Sequence, residues 1–163
     1  EFAKKNGASA YFTDLNKMAK SDIDAVYIAS PNSLHYEQSK LFLKNGKHVL
    51  CEKPATTTKE QAIELYDYAE ANGLIYAEAI MSLHVPAFDL LQKELKNLGK
   101  IRTVNFIFCQ LSSKYPAYKN GENPNIFNPE MHAGCLMDIG IYNIYLTASL
   151  FGKPESVISD AVF

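Results

Sequence analysis

Three short apolar runs alternate with two amphipathic stretches in the first half of the chain. The runs lack the polar–apolar alternation of a half-solvated strand, so they are typical of strands buried on both faces of a parallel sheet. The stretches between them repeat their apolar positions at helical spacing. The predicted strands cover 25–29, 49–53 and 74–80, and the predicted helices cover 33–46 and 58–71. This order predicts a parallel βαβαβ unit, half of a dinucleotide-binding sheet, with both helices on the same face.

The pattern changes after residue 80. The predicted elements there are a helix over 86–98, a strand over 101–111, a polar loop over 112–131, a helix over 134–151 and a strand over 156–163. Residues 101–111 alternate as a strand of an antiparallel sheet does. We therefore predict an α/β protein of two domains. Residues 1–80 form the C-terminal part of a Rossmann-type parallel sheet, and residues 81–163 begin an α+β domain with a mainly antiparallel sheet.

The start of the chain also carries structural signals. Residues 1–6 are typical of the end of a helix, and a short strand over 8–12 and a short helix over 13–20, capped by Thr13 or Asp14, are predicted to follow. No G-x-G-x-x-G motif, the turn that binds the pyrophosphate in such sheets, occurs in the sequence. We therefore expect a fragment, inactive alone, that lacks the glycine-rich first strand, turn and helix.

Composition narrows the classes of partner and compartment. The formal net charge is −2, which gives no electrostatic case for binding nucleic acid or an anionic membrane. The three cysteines lie far apart, which excludes a disulfide framework and fits a reducing, cytoplasmic compartment. The four histidines lack metal-ligand spacing, so no metal is expected. The apolar stretch 134–152 contains Asp138, Asn143, Thr147 and Ser149, which favours a buried helix over a membrane span.

Candidate chemistry lies at the predicted carboxyl ends of two strands. Glu52, Lys53 and Pro54 end the second strand, and the turn 30–32 (Ser-Pro-Asn) ends the first. Ligands of open α/β sheets bind outside these ends. The alternative is that Glu52 and Lys53 are only the solvated end of a strand. His35 lies in the first turn of the next helix, either facing a ligand or on the helix surface.

A second candidate group opens the last helix. Asp138 is the only acidic or basic side chain between Glu130 and Lys153, and Tyr142 follows it by four residues, hence on one helical face. The structural alternatives are that Asp138 only complements the positive end of the helix dipole and that Tyr142 is a core aromatic residue.

Three segments together resemble the Gfo/Idh/MocA family, whose members include glucose–fructose oxidoreductase, inositol dehydrogenases and dimeric dihydrodiol dehydrogenase. The segments are 29–35, 46–54 and 134–142, and the Asp-Ile-Gly-Ile-Tyr sequence of the last is most similar to the glucose–fructose oxidoreductase and dihydrodiol dehydrogenase branch. The resemblance covers nearly all of the chain, about half of a family member. It implies that Lys53 is catalytic, that Ser30, Pro31 and Asn32 lie against the dinucleotide, and that Asp138 and Tyr142 match the family's helix residues.

The resemblance and the residue chemistry together predict an NAD(P)-dependent oxidoreductase that transfers a hydride between the nicotinamide and a sugar, polyol or related diol. A phenol exchanges its proton near neutral pH only beside a cation, so Lys53 and Tyr142 are the predicted acid–base pair and Asp138 the group that orients substrate hydroxyls. His35 and Glu52 are further candidate cofactor contacts. NAD and NADP stay open because the residue that contacts the ribose lies upstream.

Two other functions fit the same residues. One is a non-catalytic dinucleotide sensor or partner-binding protein on this fold, and the other is a sugar hydrolase or epimerase that uses bound NAD transiently. The expected partner is a small-molecule substrate, and the expected assembly is a homo-oligomer formed through the C-terminal sheet.

Overall fold

A computed structural model describes residues 2–160 and divides the chain into two compact units, Glu1–Ala79 and Ile80–Phe163. The first unit contains a parallel sheet of three strands in the order β1-β2-β3. The strands are β1 (Ala25–Ile28), β2 (His48–Cys51) and β3 (Tyr76–Glu78). The predicted parallel βαβαβ order is therefore confirmed, although each strand is shorter than its predicted range and β2 begins one residue earlier.

Three of the four helices of this unit begin after a residue that is typical of helix N-termini. The four helices are α1 (Phe2–Lys5), α2 (Leu15–Ala19), α3 (Asn32–Lys44) and α4 (Lys59–Ala71). The Asp14 carboxylate caps α2 by accepting from the Asn16 amide at 2.8 Å, and the Thr58 hydroxyl caps α4 by accepting from the Gln61 amide at 3.3 Å. The helix α3 begins earlier than predicted, because Pro31, whose ring fixes φ, already precedes its first turn.

The hydrophobic core lies on one face of the sheet, under α3 and α4. Its buried members alternate along the strands with exposed ones and include Val26, Ile28, Val49 and Cys51 from the sheet and Phe42, Leu43, Leu65 and Ala69 from the helices. The prediction that both helices cover the same face is confirmed. The prediction of strands buried on both faces is wrong for the described residues, since Tyr27 is 55% exposed and Leu50 is 43% exposed on the other face.

Of two further predictions in this unit, one is wrong and one is confirmed. Residues 8–12 form no strand, because no neighbouring segment among residues 2–160 pairs with them. The helix predicted at the start of the chain is present as α1, and Glu1 lies outside the described residues.

The second unit consists of helices and turns. The α-helices are α5 (Pro86–Leu95), α6 (Tyr115–Lys119) and α7 (Ile141–Phe151), with short 3₁₀ turns at Met81–Leu83, Asn125–Phe127 and Pro129–Met131 and a π-helical turn at Leu136–Gly140. Residues 80–160 contain no strand. The segments 101–111 and 156–160 therefore form no strand, and the last part of the strand predicted over 156–163 lies outside the described residues. A strand is defined by its partner, and no segment of the described chain provides one.

The apolar segment before residue 152 is not the buried helix that the sequence predicts, since no residue of α7 is buried. By length and composition alone, Pro129–Phe151 could cross a membrane. However, the 3₁₀ turn Pro129–Met131 is followed by His132 in a left-handed conformation, so the continuous helical part of this segment begins only at Cys135.

Candidate functional site

The carboxyl ends of the three parallel strands meet at one edge of the sheet, and each places a polar group there. Ser30 follows β1, Lys53 follows β2 and Glu78 ends β3. Backbone hydrogen bonds extend the ladder to this edge, where the Glu52 amide donates to the Ile28 carbonyl at 2.8 Å. The Lys53–Pro54 peptide is cis. The predicted turn 30–32 and Lys53 therefore belong to neighbouring turns of one edge, where ligands of α/β sheets bind.

His35 lies beneath these turns. The sequence predicts either a ligand-facing or a surface position, but the side chain is 1% exposed. Its Nε2 lies 2.8 Å from the Ser30 carbonyl oxygen, and its Nδ1 lies 2.8 Å from the Pro54 carbonyl oxygen. Both ring nitrogens are therefore engaged by backbone, so His35 supports the turns from below instead of contacting a ligand through its nitrogens.

Glu78 is a site residue that the sequence analysis missed. Its Oε1 accepts from the Ala55 amide at 2.7 Å, immediately beyond the Lys53–Pro54 peptide. Partial burial raises the pKa of the Glu78 carboxyl, against the opposing effects of the Ala55 amide and of His35. The signal that could have identified it is a single carboxylate in the otherwise apolar segment 74–80.

The other predicted residues of this edge have defined neighbours. The Tyr27 hydroxyl donates to the Glu52 carboxylate on the open face of the sheet. The Ser30 hydroxyl donates to Gln38 Oε1 at 2.8 Å, which ties the turn to α3. Pro31 is the N-cap residue of α3 and Asn32 is its first residue, so this turn leads into a helix N-terminus. The positive end of the helix dipole at an N-terminus favours negatively charged or carbonyl groups of a ligand.

The second unit contains a cavity of about 360 Å³ that Asp138 lines. This volume is in the range of small-molecule sites. The polar lining residues besides Asp138 are Gln110, Ser112, Ser113 and Tyr115, and the apolar ones include Leu111, Ile126, Phe127 and Ile139. The loop 112–131 is thus partly ordered by α6 and forms one wall of the cavity. The sequence predicts no role for that loop, because its polar residues follow neither helical nor strand periodicity.

Tyr142 is not among the residues that line this cavity. Its ring instead contacts the Phe108 ring, with 5.6 Å between the centroids. Asp138 lies in the π-helical turn Leu136–Gly140 and Tyr142 lies in α7. The common face of the two side chains stays a prediction. The convergence of Lys53 with Asp138 and Tyr142 stays a prediction.

The residues at the sheet edge fit part of a dinucleotide. The turn 30–32 and Lys53 carry a hydroxyl, a side-chain amide and an ammonium, polar groups of the kind that contact a dinucleotide. The glycine-rich turn that cradles a pyrophosphate is not in the sequence. Contact of this edge with the nicotinamide half of a dinucleotide stays a prediction.

Comparison with known proteins decides which family this arrangement represents. A model described as "Oxidoreductase family, NAD-binding Rossmann fold" matches residues 1–80, and one described as "GFO/IDH/MocA C-terminal domain" matches residues 93–162. The chain belongs to the Gfo/Idh/MocA oxidoreductase family. The predicted family is thus confirmed, and both parts of the sequence take part in the match.

Individual Gfo/Idh/MocA proteins show the same relationship. The chain is 48% identical over 158 residues to scyllo-inositol 2-dehydrogenase (NADP(+)) IolU of Bacillus subtilis, covering 96% of this chain and 48% of that protein. It is 33% identical over 140 residues to D-xylose 1-dehydrogenase (NADP(+)) of Hypocrea jecorina, covering 83% and 36% respectively. The chain therefore spans about half the length, or less, of these relatives.

A solved structure supports the fold assignment. KijD10, a 3-ketoreductase from Actinomadura kijaniata crystallised with NADP and TDP-benzene, is similar with a TM-score of 0.75 and 29% identity, covering 93% of this chain and 45% of that one. The α/β fold is thereby shown for the described chain.

Proposed function

We propose that the whole protein is an NADP-dependent oxidoreductase that oxidises a secondary hydroxyl of a cyclic polyol or sugar and reduces the matching ketone in reverse. The single observation that carries the proposal is the cavity in the second unit, where the Asp138 carboxylate lies among an amide and three hydroxyl-bearing side chains. A substrate with several hydroxyl groups both donates and accepts hydrogen bonds, so it suits a lining of this composition.

The proposed roles follow from the chemistry of each side chain. When bound, the nicotinamide supplies hydride acceptance, the step that the protein cannot perform. Lys53 stabilises negative charge on the reacting oxygen. Tyr142 exchanges the hydroxyl proton with solvent, assisted by the positive charge of Lys53. Asp138 accepts hydrogen bonds from substrate hydroxyls and so fixes the ring in one orientation.

The choice of NADP over NAD is supported by the relatives. The names of IolU and of the Hypocrea xylose dehydrogenase both specify NADP(+), and KijD10 was crystallised with NADP. The choice of a polyol or sugar is supported by the 48% identity to a scyllo-inositol dehydrogenase.

The test is an assay of the whole protein with NADP⁺ or NAD⁺ and a panel of scyllo-inositol, D-xylose and glucose, followed by the absorbance of the reduced nicotinamide. We expect turnover with NADP⁺ and at least one panel member. Asp138→Asn is expected to raise KM for that substrate by about 10-fold or more, because a charged hydrogen bond is lost. Asp89→Asn, on the exposed side of α5, is the matched control and leaves KM unchanged. The absence of turnover with every panel member in either direction would refute the proposal.

We further propose that residues 101–111 form an edge of a mainly antiparallel sheet in the whole protein and that subunits associate through this sheet. The support is the alternation of apolar residues in this segment together with the high exposure of Ile107, 83%, and of Leu111, 78%. Ile107→Lys should lower the molecular mass of the whole protein measured by sedimentation, whereas Ile75→Lys, exposed in the first unit, should not. An unchanged mass for Ile107→Lys would contradict this proposal.

A further inference from the structure

One buried side chain contacts both the turn 30–32, which the family resemblance places against the cofactor, and the turn that carries Lys53. His35 lies in the first turn of α3, and its two ring nitrogens are each 2.8 Å from a carbonyl oxygen, that of Ser30 after β1 and that of Pro54 after β2. Carbonyl oxygens only accept, so the ring donates at both contacts when both of its nitrogens carry protons and at one of them in either neutral tautomer. The ring therefore joins two turns that are 24 residues apart in sequence, counted from Ser30 to Pro54.

The backbone beyond Lys53 is held from a second side by β3. The Ala55 amide donates to Glu78 Oε1 at 2.7 Å, and the Ala55 carbonyl accepts from the Tyr76 hydroxyl at 3.3 Å. Pro54 and Ala55 are both buried. Three side chains from two elements thus fix the peptide groups that follow Lys53. Because Pro54 and Ala55 are buried, an unmade hydrogen bond here leaves a buried backbone group without a partner.

We propose that His35 is the positioning residue that locks the Ser30–Asn32 turn and the Lys53 turn into one rigid unit, with Glu78 as its support on the far side of Lys53. This inference rests on the proposed function for its kinetic consequences. The hydrogen bond to Ser30 holds the turn that contacts the cofactor, and the hydrogen bond to Pro54 holds the backbone that carries the catalytic ammonium. A misplacement of a catalytic group by about 1 Å is enough to slow a reaction markedly.

Two substitutions separate the two hydrogen bonds. The amide nitrogen of asparagine takes the position of Nδ1, so His35→Asn keeps a donor for Pro54 and loses the one for Ser30. The amide nitrogen of glutamine takes the position of Nε2, so His35→Gln keeps a donor for Ser30 and loses the one for Pro54. For the whole protein we expect His35→Asn to raise KM for NADP⁺ by about 3- to 10-fold with kcat nearly unchanged. We expect His35→Gln to lower kcat by a similar factor with KM nearly unchanged.

His48 provides the matched control. It begins β2 at the opposite end of the sheet, where its Nδ1 accepts from the Ile75 amide at 3.0 Å. His48→Asn and His48→Gln therefore change a histidine that bonds to the same sheet but not to either turn, and they should leave KM and kcat unchanged. Equal effects of His35→Asn and His35→Gln on both constants would show a general packing role and overturn the proposal, as would no effect of either.

A second measurement does not depend on turnover. Amide hydrogen exchange of the 163-residue chain should be faster in peptides that cover 29–33 for His35→Asn and in peptides that cover 52–57 for His35→Gln, each by about 3- to 10-fold. Exchange that rises equally in both segments, or across the whole first unit, would overturn the proposal. If the wild-type protein lacked turnover but the exchange pattern were as expected, the proposed function would fail while the positioning role of His35 stood.

Discussion

The two units bury their apolar side chains to different extents. In the first unit, a contiguous cluster of buried residues runs from Ala19 to Tyr76, and the strands that it covers pair with each other. In the second unit, the buried apolar residues among those described are Ile80 and Phe88, while Ile107, Leu136 and other large apolar side chains are exposed. In a βαβαβ unit, consecutive strands form the sheet and the helices between them cover one of its faces, so the core is built within the unit. An antiparallel sheet offers such a face only when its strands are paired, and residues 80–160 contain no paired strand. The second unit therefore lacks a comparable core of its own.

The largest expected difference between the two units is in the free energy of unfolding that is lost when a leucine is shortened to alanine. Leu43→Ala removes a side chain that is 1% exposed, so it should lower the free energy of unfolding by about 2–5 kcal/mol. Leu98→Ala removes one that is 68% exposed, so it should change that free energy by no more than about 0.5 kcal/mol. Urea unfolding followed by far-ultraviolet circular dichroism measures both variants. Equal losses for the two substitutions would show that the second unit has a core as tight as the first.

The three cysteine thiols should differ in their reactivity with a disulfide reagent, depending on the unit in which they lie. Cys51 is buried in the first unit, while Cys109 and Cys135 are exposed in the second. Burial raises the pKa of the Cys51 thiol to about 12, with Glu78 and Glu52 adding to the effect. Because the thiolate is the reactive form, two thiols should react quickly with a disulfide reagent at pH 8 and Cys51 at least about 100-fold more slowly. Rapid reaction of all three in the native protein would contradict the buried placement of Cys51, and Cys51→Ala identifies the slow thiol.

The smallest expected effect is that of Glu78 on the pH dependence of the free energy of unfolding. Its pKa is raised in the folded state, so the folded protein binds the proton more tightly than the unfolded one does. The associated stability is fully present below the ordinary carboxyl pKa and is lost as the pH rises through the raised value. Thermal unfolding between pH 4 and pH 7 should therefore show a loss of stability with rising pH that Glu78→Gln removes. At pH 7 the free energy of unfolding should differ by no more than about 1 kcal/mol, because glutamine still accepts from Ala55.

Glu64 is a control whose carboxyl pKa is shifted in the opposite direction from that of Glu78. Its pKa is lowered, chiefly by Lys40, whose ammonium lies 2.6 Å from Glu64 Oε1. Its stability contribution is present above the ordinary carboxyl pKa and is lost as the pH falls. Glu64→Gln should therefore remove a gain in stability with rising pH. A Glu78→Gln variant that behaved as Glu64→Gln does would show that Glu78 is not penalised by burial.

The first unit could be predicted from the sequence because its signals are local. Apolar runs, the Asp14 and Thr58 caps and the order of strands and helices all concern neighbouring residues. The exposure of Tyr27 and Leu50 could not be predicted, because an apolar run does not reveal whether its second face is covered. The strand over 101–111 is absent for a related reason, since alternation shows which side chains share a face but not whether a partner strand is present.

The candidate site was predictable only in part. Lys53 and the turn 30–32 stand out because charged and turn residues interrupt apolar runs at strand ends. The burial of His35 could not be inferred, because a histidine in the first helical turn gives no sign of two carbonyl groups that meet it from separate turns. Gln110 and Tyr115 were missed because cavity walls built by loops depend on tertiary contacts. The face shared by Asp138 and Tyr142 rests on a spacing of four residues and stays a prediction.

Replacement of Lys53 tests whether its ammonium takes part in catalysis. In the whole protein, Lys53→Met is expected to lower kcat with NADP⁺ and the polyol or sugar substrate by about 10²–10⁴, the range for loss of an acid–base group. The unfolding temperature should hardly change, because Lys53 lies at the edge of the sheet and outside the buried core. Lys59→Met, exposed at the start of α4, should leave both quantities unchanged. Normal turnover of Lys53→Met on a substrate that the wild-type protein oxidises would contradict the account and leave Lys53 as the solvated end of β2.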